Sequence, residues 1–159
     1  MISDDDFIFL VYESRNARTI LEIGTGTGKS TAALSTNGSL IMTIDRNDIF
    51  TFKGLKYAKR HIMESKDFWF NPHMQYNLLY DFVFIDASIG LGDCEEILKR
   101  TTDNFSVAFH DYLPGNKNKN ENKGEYNMKC FKEAALENYN ITQRTGGSHC
   151  AILDLNKDK

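Results

Sequence analysis

The chain has few cysteines and almost no net charge, and each scarcity excludes a class of protein. The three cysteines, Cys94, Cys130 and Cys150, are odd in number and lack metal-ligand spacing, so we interpret them as free thiols in a reducing compartment. The 19 Lys and Arg residues stand against 22 Asp and Glu residues, which leaves a net charge of −3. This balance gives no general attraction to nucleic acids or anionic membranes.

Long hydrophobic runs are absent as well. No apolar segment approaches the roughly 18–20 residues that a membrane span needs, and the first residues, MISDDD, are too acidic for a secretory signal. The length of 159 residues matches one globular domain, and 41 % hydrophobic residues suffice for a core. We therefore expect one cytoplasmic domain over residues 1–159, with no membrane or nucleic-acid partner.

Short apolar segments alternate with stretches long enough for helices. Strands are predicted at 19–23, 40–44, 62–64, 82–86 and 106–110, and helices at 29–36, 48–60, 69–79, 93–102 and 127–138. Nearly continuous apolar strands joined by helices predict a doubly wound parallel α/β sheet with helices on both faces.

The two ends of the chain and one loop depart from this alternation. Residues 1–17 carry a predicted N-terminal helix in which Ser3 and Asp6 form a capping box. Segments 141–145 and 149–155 flank a Gly-Gly pair and predict a C-terminal antiparallel hairpin. Residues 114–125, PGNKNKNENKGE, hold almost nothing apolar and predict a mobile loop.

Three glycines between the first strand and the next helix are the most informative feature. They belong to the segment Glu22-Ile23-Gly24-Thr25-Gly26-Thr27-Gly28-Lys29-Ser30. A phosphate-binding P-loop would need its first glycine where Ile23 stands, and a dinucleotide fingerprint would need a glycine at Lys29. A turn with no ligand, whose glycines only permit tight packing, remains open too.

What the segment does contain, Glu22-x-Gly24-x-Gly26-x-Gly28, resembles the first motif of class I S-adenosylmethionine (SAM)-dependent methyltransferases. Its continuation to Ser30 is similar to the catechol O-methyltransferase-like branch. The resemblance implies a single-domain Rossmann-like fold whose glycines, with Thr25 among them, contact the methionine end of SAM. It also implies that Glu22 supports the turn and that Ser30 binds the cofactor carboxylate.

The next two strand ends extend this prediction. Asp45, followed by Arg46, lies 21 residues beyond Gly24, close to the spacing at which an acid reaches ribose hydroxyls. The set Glu64-Ser65-Lys66-Asp67-Phe68 resembles the adenine site of the family. The predicted cofactor-binding residues are Glu22, Gly24, Thr25, Gly26, Gly28, Ser30, Asp45, Arg46, Glu64, Ser65, Phe68 and Asp86. Phe68 and the aromatic residues after it have an alternative place in the core.

Asp86 and the pair His110-Asp111 end the fourth and fifth strands, and we predict them as catalytic residues. The segments FIDA and FHDY resemble bacterial methyltransferases in which an acid and such a pair hold a divalent cation, usually Mg²⁺. Asp86 and Asp111 are therefore candidate metal ligands. The chain departs from the family because His110 replaces an acid and no lysine or histidine base follows Asp86. His110 is the alternative base, in which case it is not a ligand.

These features predict an SAM-dependent methyltransferase acting on an O or N nucleophile of a small molecule, with Mg²⁺ as an optional second cofactor. No substrate domain is inserted, so acceptor specificity falls to the N-terminal helix, the 114–125 loop or the second subunit of a homodimer. Two alternatives stay open: a non-catalytic SAM-binding protein, and a nucleotide hydrolase or kinase that uses Lys29 and Ser30.

Overall fold

The computed structural model describes residues 1–71, 78–118 and 121–157, and a seven-stranded sheet runs through these residues. Its strands are β1 (Thr19–Ile23), β2 (Leu40–Asp45), β3 (Ala58–Ile62), β4 (Tyr80–Ile85), β5 (Thr101–Phe109), β6 (Tyr139–Gly146) and β7 (Cys150–Lys157). The order is β3-β2-β1-β4-β5-β7-β6. Strands β1 to β5 are parallel, and β7 lies antiparallel between β5 and β6. The predicted parallel sheet with a C-terminal hairpin is confirmed.

Helices cover both faces of this sheet. They are α1 (Asp4–Glu13), α2 (Lys29–Ser35), α3 (Ser65–Phe70), α4 (Leu91–Leu98) and α5 (Lys123–Ala135). Successive strand residues point to opposite faces, so Ile20 packs on the side of α1 and α2 while Leu21 packs on the side of α4 and α5. Both central positions are fully buried. None of the helices in the described ranges is long and apolar enough to cross a membrane.

The N-terminal helix is shorter than residues 1–17 but starts as predicted. The Asp6 amide donates to Ser3 Oγ over 3.1 Å, and the Ser3 amide donates to Asp6 Oδ2 over 3.2 Å. The capping box is therefore confirmed. Asp6 Oδ1 also accepts the amides of Ser148 and His149 at 2.8 and 3.0 Å, which ties α1 to the turn between β6 and β7.

The crossover between β2 and β3 differs from the prediction. The helix expected at 48–60 is absent, and the strand expected at 62–64 lies at Ala58–Ile62 instead. The Thr51 amide donates to Thr27 O over 3.0 Å rather than to a helical partner, and Gly54 has a φ of +79°, outside the helical region. β3 is an edge strand, where Lys59 and other polar residues are tolerated, so a search for apolar runs misses it.

Other helix boundaries shift by a few residues. The helix expected at 69–79 starts earlier, as α3, and residues 72–77 of that prediction lie outside the described residues. The helix expected at 93–102 ends at Leu98, because Thr101 already pairs with Tyr80 in the sheet. α5 starts at Lys123, so the last part of the loop predicted at 114–125 is helical. Residues 119 and 120 of that loop lie outside the described residues.

Candidate active site

A cavity of about 400 Å³ opens at the carboxyl ends of β1, β2 and β4. This edge is where ligands bind in open α/β sheets. Its lining residues are Ile23, Gly24, Ile44, Asp45, Arg46, Asn47, Met63, Glu64, Ser65, Asp86, Ala87, Ser88 and Lys123. Six predicted site residues thus meet at one cavity: Gly24, Asp45, Arg46, Glu64, Ser65 and Asp86.

The glycine turn is shaped by two close approaches. Gly24 has a φ of +97°, and a Cβ there would lie 2.8 Å from the backbone carbonyl atoms of Asp86. Gly28 has a φ of +93°, and a Cβ there would collide with the ring of Phe50. Gly26, at φ +52°, has no described atom within 4 Å of the Cβ position. Gly24 and Gly28 therefore serve packing, while Gly26 leaves its side of the turn open.

Asp45 is held at the end of β2 with its carboxylate fixed by backbone donors. The Gly26 amide donates to Asp45 Oδ2 over 2.8 Å, and the Asn47 amide donates to Asp45 Oδ1 over 2.8 Å. A carboxylate oxygen can accept more than one hydrogen bond. Asp45 can therefore keep these contacts and still accept two hydroxyl groups of a ligand in the cavity.

Glu22, Thr25 and Ser30 form a buried polar layer beneath the turn. Glu22 Oε2 accepts hydrogen bonds from Thr31 Oγ1 at 2.6 Å and from Thr43 Oγ1 at 2.5 Å. Burial raises the pKa of Glu22 to about 7, although hydroxyl groups, including that of Ser30, act in the opposite direction. Thr25 and Ser30 are only 3 % and 4 % exposed. These residues support the turn from inside and do not line the cavity.

The predicted adenine set divides between cavity and core. Glu64 and Ser65 line the cavity, and Ser65 Oγ donates to Asp93 Oδ1 over 2.7 Å. Phe68 is 4 % exposed and packs against His61 and Trp69, with ring centroids 5.6 and 5.2 Å away. Phe68 therefore belongs to the core and is absent from the cavity lining. This agrees with the alternative that the sequence analysis left open for Phe68, a place in the core.

A cluster of charged groups adjoins the cavity beyond Asp86. His110 Nδ1 lies 3.1 Å from both Asp86 Oδ1 and Asp111 Oδ1. Lys123 Nζ lies 2.9 Å from Asp86 Oδ1 and 2.6 Å from Asp111 Oδ2. Asp111 has a φ of +55°, in the left-handed region that residues other than glycine seldom adopt. The structure thus brings the three predicted catalytic residues together and adds a lysine.

Asp6 closes this cluster from the side of α1. Its Oδ2 lies 3.5 Å from His110 Nε2, and both side chains are almost wholly buried. Hydrogen bonds from Ser3, His149 and Ser148 outweigh burial and keep the pKa of Asp6 far below its ordinary value. Asp6 therefore remains ionised beside the imidazole.

These neighbours set the protonation of the cluster. Burial opposes the charge on His110, but the contacts with Asp111 and Asp86 outweigh it and raise the pKa of His110 to about 9. The hydrogen bond from His110, with help from Lys123, holds the pKa of Asp111 well below its ordinary value. Both acids outweigh burial at Lys123 and raise its pKa as well. At neutral pH His110 is therefore an imidazolium with no lone pair for the role of base.

The cluster does not fit a divalent cation as it stands. Ligand atoms of Asp86, His110 and Asp111 lie within 4.8 Å of one another, a spacing that a metal could bridge. The Lys123 ammonium, however, already contacts both carboxylates. Mg²⁺ needs such oxygens at about 2.0–2.1 Å, so metal and ammonium exclude each other there.

Lys29 is engaged away from the glycine turn. Its ammonium donates to Ile2 O over 3.1 Å and to Asp4 Oδ1 over 2.8 Å, next to the start of α1. A phosphate-binding lysine would instead direct its ammonium to the phosphates of a nucleotide. The position of Lys29 gives the nucleotide-hydrolase alternative no support.

Sequence reasoning did not find three residues that shape the site, namely Asp6 as a partner of His110, Phe50 on the glycine turn, and Lys123. Lys123 carried one available signal, the pair Lys123-Gly124 within an otherwise featureless polar loop. A Cβ on Gly124 would collide with the His110 carbonyl, so this glycine marks a close approach of α5 to the end of β5.

Comparison with known proteins gives structural neighbours only. No protein-family model and no curated protein sequence matches the chain. An O-methyltransferase from Bacillus cereus in complex with S-adenosylhomocysteine (SAH) superposes with a TM-score of 0.73 at 20 % identity, covering 99 % of this chain and 83 % of the other. The O-methyltransferase TomG from Streptomyces achromogenes, which is involved in tomaymycin synthesis and was solved with SAM, gives 0.68 at 21 % identity, with 99 % and 82 % covered. The plantazolicin methyltransferase BpumL, solved with a monoazolic desmethylPZN analogue and SAH, gives 0.64 at 13 % identity, with 97 % and 84 % covered. The chain has the Rossmann-like methyltransferase fold.

Proposed function

We propose that the protein is an SAM-dependent methyltransferase that acts on an oxygen or nitrogen nucleophile of a small molecule. The observation that carries the proposal is the strand-end cavity, where the Asp45 carboxylate is oriented by the Gly26 amide beside the open side of the glycine turn. An acid held in this way suits the two hydroxyls of a ribose. The fold shared with O-methyltransferases that bind SAM or SAH supports the same conclusion.

The charge of the cluster also favours a cationic ligand. Asp6, Asp86 and Asp111 contribute three negative charges, and His110 and Lys123 contribute two positive charges, so one negative charge remains (−3 + 2 = −1). Asp86 and Lys123 line the cavity directly. An uncompensated negative charge at this edge attracts the sulfonium of SAM more than the uncharged thioether of SAH.

The residues of the cluster suggest how a nucleophile is prepared. When bound, SAM would supply an electrophilic methyl group to the acceptor lone pair, and the electrons of the broken carbon–sulfur bond would stay on sulfur. Asp86 Oδ1 is held by His110 and Lys123, while Asp86 Oδ2 accepts no hydrogen bond from any described residue. Asp86 Oδ2 is therefore the atom we assign to receive the acceptor proton. His110 and Lys123 orient this carboxylate through their contacts with Oδ1.

The first test is thermal unfolding of the purified protein with SAM, SAH, Mg-ATP or NAD. A ligand at about 100 times its Kd adds roughly 2.7 kcal/mol to the free energy of unfolding, so we expect a rise of several degrees with SAM and SAH only. A rise with Mg-ATP alone would refute the proposal. Binding of SAM without turnover over a broad acceptor panel would instead favour the non-catalytic alternative.

Further parts of the proposal rest on composition and exposed surface. The free cysteines of the described residues fit a reducing compartment, so we propose the cytoplasm as the location. We also propose a homodimer, because α1 exposes Ile8 and Tyr12, at 66 % and 59 %. The net charge of −3 argues against nucleic acid as the acceptor.

A further inference from the structure

We propose that the Lys123 ammonium is the resident cation of the acceptor site and takes the place of a divalent metal ion between Asp86 and Asp111. This inference rests on the proposed function, since the acceptor site is defined by the methyl-transfer reaction. Its structural basis is the position of one atom, Lys123 Nζ, which lies 2.9 Å from Asp86 Oδ1 and 2.6 Å from Asp111 Oδ2. The side chain of Lys123 is 23 % exposed, so the ammonium is partly withdrawn from water and still reaches the cavity.

The fold fixes the backbone of Lys123 against the segment after β5 that carries Asp111. The Gly124 amide donates to Asp111 O over 3.1 Å, and the missing Cβ of Gly124 lets α5 touch the His110 carbonyl. Asn122, which is 5 % exposed, accepts the Leu113 amide at 2.9 Å. The residues on both sides of Lys123 are therefore anchored to the chain that leaves β5.

A second anchor joins α5 to the loop after Asp86. Asn127 is fully buried, donates to Ala87 O over 2.7 Å and accepts the Ile89 amide at 3.2 Å. Lys123 thus starts a helix that is bound to both loops whose carboxylates it contacts. This distinguishes it from Lys129 on the same helix, which is 70 % exposed and, among the described residues, forms an ion pair with Glu125 alone.

The chemistry of an ammonium differs from that of a metal in one useful respect. Lys123 has three N–H donors, of which two are directed to Asp86 and Asp111, so one remains for an oxygen in the cavity. That donor would hold the acceptor oxygen next to Asp86, which takes its proton. A cation built into the chain makes the site independent of divalent metal.

The test is binding of Mn²⁺, measured by the loss of the free-ion signal in electron paramagnetic resonance, with SAH present throughout. We expect no uptake by the wild type at this site. Lys123→Ala removes the ammonium and leaves the His110 imidazolium on Oδ1 of each acid, so that Oδ2 of both Asp86 and Asp111 is free for a metal. We therefore expect one equivalent of Mn²⁺ to bind, at least about tenfold more tightly than to the wild type. Lys129→Ala is the matched control and should behave as the wild type. The double variant Lys123→Ala/Asp111→Asn should lose the added affinity.

Two results would overturn the inference. One is uptake of one Mn²⁺ by the wild type that Asp86→Asn abolishes. The other is a folded Lys123→Ala protein with no gain in Mn²⁺ affinity, since the ammonium would then not fill a metal position. If Lys123→Ala does not fold, Lys123→Ser provides the same comparison. Calorimetric binding of SAH to the same samples separates this outcome from failure of the proposed function, because Lys123 is not among the residues we assign to the nucleoside.

Discussion

The two ends of the site are built in different ways. At the proposed nucleoside end, Asp45 ends β2 and Gly26 lies in the turn after the neighbouring strand β1, and the Gly26 amide orients the Asp45 carboxylate. At the reacting end, Asp6, Asp86, Asp111, His110 and Lys123 form a continuous chain of ionised groups. The first end depends on backbone shape, and the second depends on charges that compensate one another. A substitution at the first end should therefore affect ligand affinity, whereas one at the second should first affect stability.

Replacement of Asp6 should produce the largest effect and tests the second half of this comparison. Asp6→Ala leaves the Ser148 and His149 amides without their acceptor and removes the negative charge 3.5 Å from His110 Nε2. We expect a loss of about 3–5 kcal/mol in the free energy of unfolding, measured by urea denaturation. Asp5→Ala, at an exposed neighbour on α1, should change it by less than about 0.5 kcal/mol. Equal changes in the free energy of unfolding for the two substitutions would show that Asp6 stabilises the fold no more than an exposed acid of α1 does.

Gly124→Ala tests whether α5 must approach β5 closely. Alanine in place of glycine within a helix normally stabilises by up to about 1 kcal/mol, but here its Cβ would collide with the His110 carbonyl. We therefore expect a destabilisation of about 1–3 kcal/mol in thermal unfolding. Gly92→Ala in α4 is the matched control, because nothing lies within 4 Å of its Cβ position, and it should be neutral or stabilising. A stabilised Gly124→Ala protein would contradict the docked arrangement of Lys123.

Asp45→Ala sharpens the comparison at the nucleoside end. We expect SAH to bind more weakly by about 1.5–3 kcal/mol, since hydrogen bonds to a charged group are lost. The free protein loses the bonds from the Gly26 and Asn47 amides, which are exposed or only part-buried, so its melting temperature should fall by only a few degrees. Isothermal titration calorimetry measures the affinity. Asp48→Ala removes an acid that is paired with Arg60 and lies outside the cavity lining, so it should leave the affinity unchanged. An unchanged affinity in Asp45→Ala would remove Asp45 from the site.

A further prediction for the reacting end is a pH dependence of stability. The pKa of His110 is raised to about 9 in the folded protein, above the ordinary value near 6.5. Its contribution to stability is therefore fully present below pH 6.5 and is lost as the pH rises through about 9. Because one pKa unit corresponds to about 1.4 kcal/mol, the difference in unfolding free energy between the wild type and His110→Gln should shrink by roughly 3 kcal/mol over this range. If the difference in unfolding free energy between the two proteins is constant from pH 6 to about 9.5, then Asp86 and Asp111 do not raise the pKa of His110.

The nucleoside end could be predicted from the sequence and the reacting end only in part. Gly24, Asp45 and Asp86 lie at the ends of apolar strands, where local pattern and spacing determine their position. Asp6 and Lys123 reach the site through contacts between distant segments, which no local pattern encodes. Phe68 has an aromatic side chain that could stack on a base, but it packs in the core. The prediction could not separate these two places, because the hydrophobic periodicity does not distinguish the two faces of so short a helix. The sequence predicts the third strand at 62–64, whereas β3 lies at Ala58–Ile62. An edge strand tolerates polar residues, so the search for apolar runs does not find its true position.

A crystal structure of the protein grown with SAH and millimolar Mn²⁺ would test the account most directly. We expect SAH in the strand-end cavity with its ribose hydroxyls on Asp45, and Lys123 Nζ still between Asp86 and Asp111, with no anomalous signal from manganese there. SAH bound elsewhere would contradict the proposed function. A manganese peak between the two carboxylates, with Lys123 displaced, would contradict the assignment of the resident cation.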